Sequence, residues 1–257
     1  MFTDMIKRQI IKINGRECQG VDDLVALEKR IRIAVNGKEV MSLYCTPIMV
    51  KELVVGIFMT EGIIEGNWCA DRINIAYDDD IIVDIPADGK VSTDDAVITS
   101  GCIGGITFPK RLRIQSTKDD YRIDSDALCR LFKIFQDASV LYKATGCVHS
   151  AALSDGNDIL CLAEDIGRHN AVDKVIGYSL LEGISFEKKI MLASGRLSSE
   201  IVAKCAKWQI PIVASRTSPT SLAVDIAERA NVTVVGFVRG KRLNIYTAPQ
   251  RIVTCSD

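Results

Sequence analysis

Hydrophobic positions along this chain follow two different periods. Over residues 30–35 they alternate, placing Ile31, Ile33 and Val35 on one face, and Asn36-Gly37 then leads into residues 39–44. Alternation broken by Asn-Gly predicts a hairpin with one buried face. The spacing next lengthens through Leu53, Ile57 and Phe58, with Thr46 as N-cap, Pro47 at the first helical position and Gly62 as the stop, which predicts a helix. Residues 73–77 and 81–85 flank Asp78-Asp79-Asp80 as a second hairpin.

From Ser125 onward the pattern becomes helical and then alternates strand, polar loop and helix. Leu128, Leu131, Phe132 and Phe135 mark an amphipathic helix, and residues 147–153 and 158–163 form a hairpin around Ser154-Asp155-Gly156-Asn157. The second strand runs into Glu164-Asp165-Ile166-Gly167-Arg168-His169-Asn170, followed by a helix through Val172, Val175, Ile176 and Leu180. Residues 189–193 feed the loop 194–200 and a helix to about residue 208; residues 210–214 feed the loop 215–220, where Pro219 is suited to start the next helix. A strand at 232–237 turns through Arg239-Gly240-Lys241-Arg242 into a last strand at 243–247. The polar stretch 110–120 divides the chain into a strand-rich α+β domain, residues 1–118, and an α/β domain, residues 119–257. No fixed-period repeat or low-complexity segment interrupts this order.

Composition narrows the function classes. With Lys+Arg 32 against Asp+Glu 33 the net charge is −1, so no global basic field gathers nucleic acid and any anion must be held locally. The charged residues among positions 1–15 leave no signal-peptide core, and the longest apolar runs are too short for membrane insertion. Nine cysteines without framework spacing point to reduced thiols and a cytoplasmic protein.

Three successive strand ends open helices through loops rich in Gly, Ser and Arg. In an open α/β sheet such ends share one edge, and helix N-termini there favour phosphate. Arg168, Arg196, Arg216 and Arg239 can add bidentate contacts, which suits a large phosphorylated ligand. Taken singly, Ser198 and Ser218 are better read as N-caps, Arg196 or Arg216 as solvated charges, and Glu164-Asp165 with Arg168 as a local salt bridge. A single loop holding two carboxylates, Gly, Arg, His and Asn nevertheless points to function. Neither a Walker loop nor a Gly-x-Gly-x-x-Gly follows a strand, and no Cys-x-x-Cys pair or deaminase zinc pattern exists, so no zinc is expected.

Two cysteines stand apart. Cys102 lies between Gly101 and Gly104-Gly105, glycines that strip bulk from the sulfur and suit a thiol that accepts and delivers a group; a Gly-rich turn with an incidental Cys fits equally well. Cys147 is two residues from His149, so a strand would put both on one face as a nucleophile pair, or His149 as a hydrogen-bonding prop. A Cys-His hydrolase lacks a recognisable third triad member.

These motifs together resemble the formate dehydrogenase accessory protein family. The resemblance rests on Thr145-Gly146-x-x-His149-x-Ala151, the run 164–174 with Val175-Ile176-Gly177, and Ser194-Gly195-Arg196-x-Ser198-x-Glu200. Pro219-Thr220-x-Leu222-Ala223, Gly236-Phe237-x-Arg239 and Glu61-Gly62 extend it over nearly the whole chain. It implies a sulfur carrier: Cys102, matched through Ser100-Gly101-Cys102, receives sulfur as a persulfide from a cysteine desulfurase. The sulfur then passes to molybdenum cofactor in its bis-guanine-dinucleotide form, the bound cargo required for formate dehydrogenase activity. The match assigns Phe237, Val238, Arg239, Gly240, Lys241 and Arg242 to cofactor binding. It adds His149, Glu164, Asp165, Gly167, Arg168, His169, Asn170, Ser194, Gly195, Arg196, Ser198, Pro219 and Thr220 to the cradle. A homodimer, and a mixed-sheet α/β/α second domain resembling cytidine deaminase without its zinc, are also implied. The chain departs from the family twice: Gly105 replaces the second cysteine of the loop, which removes a relay between two loop thiols, and Cys147 stands where Gly is usual. A Cys102–Cys147 partnership is the hypothesis this raises, and unchanged transfer by a Cys147→Ser chain would sink it. The loss of the second loop cysteine also sustains a rival reading, a molybdenum-cofactor chaperone without sulfur transfer.

Overall fold

The alternating apolar residues of the first half close over a single helix. The structure is a computed structural model that describes residues 4–91, 97–98, 106–107 and 115–254. β1 (Met5–Asn14) and β2 (Glu17–Ala26) make a largely exposed antiparallel ribbon. β3 (Lys29–Val35) and β4 (Lys38–Cys45) are the expected hairpin, with Asn36 and Gly37 both at positive φ. After α1 (Val50–Glu61) come β5 (Ile64–Trp68), β6 (Asn74–Tyr77), β7 (Ile81–Ile85) and β8 (Ala87–Val91), then the short pair β9 (Val97–Ile98) and β10 (Ile106–Thr107). The sheet order is β4-β3-β7-β6. Ile31, Ile33 and Val35 of β3 and Ile81, Val83 and Ile85 of β7 turn inward and bury against Leu53, Val54, Ile57 and Phe58 of α1. Each such side chain contributes on the order of 1.5–3 kcal/mol by leaving water.

α1 begins later than its sequence signals place it. Its N-cap is Met49, at φ 53°, and Thr46 and Pro47 stay outside. The reason is tertiary: Thr46 is fully buried and its hydroxyl is engaged by groups of the second half, so it cannot cap. The other end is as expected, with Gly62 at φ 66° donating its N–H to the Phe58 carbonyl.

The second half runs β11 (Ile123–Asp124), α2 (Ser125–Ala138), α3 (Val140–Thr145), β12 (His149–Ser154), β13 (Ile159–Asp165), α4 (Arg168–Leu181) and β14 (Ile190–Ala193). It continues through α5 (Ser199–Lys207), β15 (Ile212–Ser215), α6 (Ser221–Ala230), β16 (Thr233–Arg239), β17 (Arg242–Ile245) and β18 (Ile252–Val253). Six strands form one mixed sheet in the order β13-β12-β14-β15-β16-β17, in which β14, β15 and β16 are parallel neighbours. Leu128, Leu131, Phe132 and Phe135 of α2 cover one face with Ile190, Leu192, Ile212 and Ala214 beneath them. The opposite face packs Ala151, Met191 and Val213 against α4, α5 and α6. This is a mixed α/β architecture with helices on both faces of the larger sheet. The sequence did not flag α3, and α6 starts at Ser221 with Thr220 as its cap, so Pro219 stands one residue outside the cap rather than inside the helix.

α4 is buried nearly all round, its charged Asp173 and Lys174 included, because it has two partners: the sheet on one side and α1 on the other. The helices touch backbone to backbone at Gly56 and Gly177, where an added Cβ would collide with the carbonyls of Asp173 and Glu52 respectively. Beside this crossing, Lys204 Nζ lies 2.7 Å from both carboxylate oxygens of Asp173 and 3.1 Å from Glu61 Oε1. Lys207 Nζ donates to the Met59 and Thr60 carbonyls at the end of α1. Among the described residues no helix is long and apolar enough to cross a membrane.

Candidate functional site

Strand direction brings the chemistry to one edge. The carboxyl ends of β13, β14, β15 and β16 lie there, and so does the start of β12, because it runs antiparallel to its neighbours. Asp165, His149, Ser194, Arg216 and Arg239 therefore follow one another along the edge. The loops between strands and helices interlock. Gly195 is packed so that a Cβ there would come 3.2 Å from His149 Nδ1 and 3.2 Å from Arg168 Cβ. Leu197 N–H donates to the Ser218 carbonyl and Thr220 N–H to the Leu197 carbonyl, joining the next two loops. Phe237 sits at φ 53° in a bulge of β16 and donates its N–H to the Thr217 carbonyl. The bulge turns Arg239 back toward its neighbour: its Nε donates to the Arg216 carbonyl at 3.3 Å, and its guanidinium lies 5.9 Å from the Phe237 ring centroid.

Two open grooves flank this edge. One, of about 420 Å³, is lined by Tyr142, Lys143, Cys147, His149, Ser194 and Arg216, among others. The second, of about 400 Å³, lies between α2 and the β16–β17 turn and is lined by Arg130, Lys133, Val238, Gly240 and Lys241 with Asp126 and Cys129. Gln136 borders both, so they adjoin along α2. Arg196, Arg216, Arg239, Lys241 and Arg242 are exposed around them.

The motif 164–174 divides between this edge and the interior. Glu164 accepts from the backbone N–H groups of Leu141 and Tyr142, both at 2.8 Å, and so holds the first turn of α3 that walls the first groove. Asp165 is fully buried and pairs with Lys174 at 2.6 Å; it also accepts from Thr46, Gly167 and Asn170. Lys174 in turn donates to Thr46 Oγ1 at 2.7 Å, and Asn170 reaches the Tyr44 carbonyl, so the motif fastens the two halves together. Gly167 is the N-cap of α4 and Arg168 is buried at its first turn. His169 Nε2 bonds Ser198 Oγ at 3.0 Å, which takes that hydroxyl away from the capping role its position indicates. Glu200 stands 3.8 Å from the same nitrogen and is held down to about 2, chiefly by that imidazole. Thr220 caps α6 through Ala223 N–H. Burial lowers both histidines below their ordinary value, and for His149 the cations Arg168 and Arg196 add to the effect.

Of the thiols, Cys45, Cys161 and Cys205 are buried and pushed up to about 12 by that burial, whereas Cys147 is exposed at the groove. Cys102 lies outside the described residues; the strands on either side of its loop, β9 and β10, pair antiparallel. Among the described residues no three His, Cys, Asp or Glu side chains gather as a metal site.

A family model described as the FdhD/NarQ family matches residues 26–253. The chain belongs to the FdhD/NarQ family. It is 40% identical over 242 residues to the sulfur carrier protein FdhD of Bacillus pumilus (strain SAFR-032), covering 90% of each chain. To the sulfur carrier protein FdhD of Bacillus subtilis (strain 168) it is 36% identical over 252 residues, covering 95% of this chain and 96% of that one. A solved structure of a candidate formate dehydrogenase accessory protein from Desulfotalea psychrophila superposes with a TM-score of 0.79 at 30% identity, over 98% of this chain and 100% of that one. Within this family member, sequence reasoning missed Lys143, because α3 is too short to carry a periodic signal, and missed Gln136 and the α2 groove, because the polar face of an amphipathic helix reads as solvated. It also missed the Glu61–Lys204–Asp173 cluster, since charged residues within amphipathic helices read as solvent-facing.

Proposed function

We propose that this chain is a cytoplasmic sulfur carrier for formate dehydrogenase maturation. The Cys102 thiolate attacks the outer sulfur of a cysteine desulfurase persulfide; a new S–S bond forms at Cys102 and the desulfurase thiolate leaves. The outer sulfur is then passed as sulfide to molybdenum cofactor in its bis-guanine-dinucleotide form, held as cargo on the edge of the mixed sheet: the S–S bond at Cys102 breaks, two electrons come from a thiol reductant that is oxidised to a disulfide, and the Cys102 thiolate is regenerated. One observation carries the cargo site: Arg196, Arg216, Arg239, Lys241 and Arg242 are exposed around two adjoining grooves on a chain with almost no net charge. A local cluster of that kind suits a ligand with several phosphates. His149 and Ser194 line one groove and Val238, Gly240 and Lys241 the other, Gly195 packs beside His149, and Phe237, Arg239 and Arg242 flank them in the same segment, while Glu164, Asp165, His169, Asn170, Ser198 and Thr220 set the frame. The helices on both faces of the mixed sheet support kinship of this layer with the cytidine deaminase fold, without zinc, and the working unit is a homodimer.

A second reading, a cofactor-binding chaperone that transfers no sulfur, is favoured by Gly105 in place of a second loop cysteine. Incubation with a cysteine desulfurase and cysteine, followed by peptide mass spectrometry, separates the two. The carrier reading expects persulfide on the Cys102 peptide and loss of formate dehydrogenase activation in Cys102→Ala. Full activation by Cys102→Ala would establish the chaperone instead.

A further inference from the structure

His149 is half-buried at the junction of the edge and the first groove, and every element packed around it brings a charged or titratable group. Arg168 and His169 face it from α4, Arg196 from the β14–α5 loop, and Asp165 from its pairing partner β13. Tyr142, Lys143 and Cys147 from the α3 side, Asp137 from the end of α2 and Arg216 from the β15–α6 loop share the groove with it. Among the described residues its imidazole has no hydrogen-bond partner within the protein, in contrast to His169, which is tied to Ser198. A ring so placed is a donor or acceptor left for whatever fills the groove.

We propose that His149 is a cargo contact that takes up a proton when anionic cargo binds, so that loading of this site is coupled to pH. The inference rests on the cargo reading above and adds the group that senses it. The sign follows from the neighbours. In the free protein burial comes first, and Arg168, His169 and Arg196 then join it, so His149 is neutral at pH 7. A diphosphate in the groove sets negative charge against those cations and favours the imidazolium. The bound protein then holds more protons than the free one between the free and bound pKa values of His149. Affinity rises as pH falls through the bound value and levels off below the free one. Each unit by which cargo raises His149 is worth about tenfold in affinity.

The test uses the full chain and diguanosine diphosphate, whose bridging phosphates do not titrate near neutrality. Its dissociation constant is measured by calorimetry from pH 8.5 to 5.0, each time in two buffers of different ionisation enthalpy. The expected result is binding that tightens by up to about tenfold toward acid, with net proton uptake in the middle of the range. His149→Gln changes by less than about twofold, while His169→Gln keeps the wild-type slope. A flat wild-type profile with binding intact would overturn the coupling and leave the cargo site standing. A slope that persists in His149→Gln and disappears in His169→Gln would overturn the assignment to His149. Absence of binding at every pH would overturn the cargo reading, and this inference with it.

Discussion

At the scale of single residues, the polar run 164–174 does most of its work inside the protein. Asp165 and Lys174 are both fully buried and 2.6 Å apart, and Thr46 from the other half is inserted between their remaining valences. Breaking a buried pair by removing one partner costs about 3–5 kcal/mol, because the survivor keeps its charge without compensation. The two partners differ in what they leave behind. Without Lys174, the carboxylate still accepts from Thr46, Gly167 and Asn170. Without Asp165, the buried N–H of Thr46 and the half-buried N–H of Gly167 lose their acceptor and the ammonium keeps only the Thr46 and Glu164 oxygens. Urea unfolding should therefore rank Asp165→Ala near the top of that range and Lys174→Met near the bottom; equal losses, or the reverse order, would refute this division of roles. That these residues mattered was legible in the sequence, because a strand-to-helix loop with so many polar side chains is unusual. Which of them face solvent was not legible, since the deciding partner, Thr46, lies more than a hundred positions away.

At the scale of elements, periodicity located every helix but α3, the six strands of the larger sheet and β3, β4, β6 and β7, because one-sided burial imposes a period of two or of 3.6. It did not mark the ribbon β1–β2, which is largely exposed and has no buried face to pattern it, nor β5, β8 and the two-residue strands. It failed where tertiary contacts override local signals, as at Thr46-Pro47, and where an element is as short as α3. It also could not distinguish a helix with one buried face from one with two. α4 has the second kind of environment, and its Gly177 meets the backbone of α1 at Glu52, next to Gly56. On propensity alone, Gly177→Ala or Gly56→Ala in mid-helix would stabilise by about 1 kcal/mol. Forcing a methyl group against a backbone carbonyl in a packed interface costs about 1–3 kcal/mol, and the backbone has little room to yield here. The collision should win, with a net loss of about 1 kcal/mol, and up to about 2 kcal/mol, for either substitution in chemical denaturation. A gain in stability would show that the helices separate readily and that this crossing does not fix the two halves.

At the scale of the whole molecule, the two sheets have separate cores, yet the contacts between them are those of one interior. Domains that merely touch bury modest, polar interfaces and unfold independently. Here α1 lies between its own sheet and α4, Lys204 joins Asp173 to Glu61, and Lys207 binds the last carbonyls of α1. Loss of the first half would strip α4 of one face, expose the Lys204–Asp173 pair and take Thr46 from Lys174, so partial unfolding is disfavoured. The chain supplies its own reporters, because it contains two tryptophans, one in each half. Trp68 packs on Phe58 at 6.2 Å between ring centroids, and Trp208 packs on Phe186 at 5.3 Å. Guanidinium unfolding followed by fluorescence in Trp208→Phe, which leaves Trp68, and in Trp68→Phe, which leaves Trp208, should each match the circular dichroism transition of the same variant. Single, coincident transitions of equal steepness are the signature of one cooperative unit. If Trp68 reported an earlier transition while the circular dichroism of the second half persisted, the halves would be independent bodies. Coincidence would instead mean that the cationic edge and the first half belong to one cooperative frame.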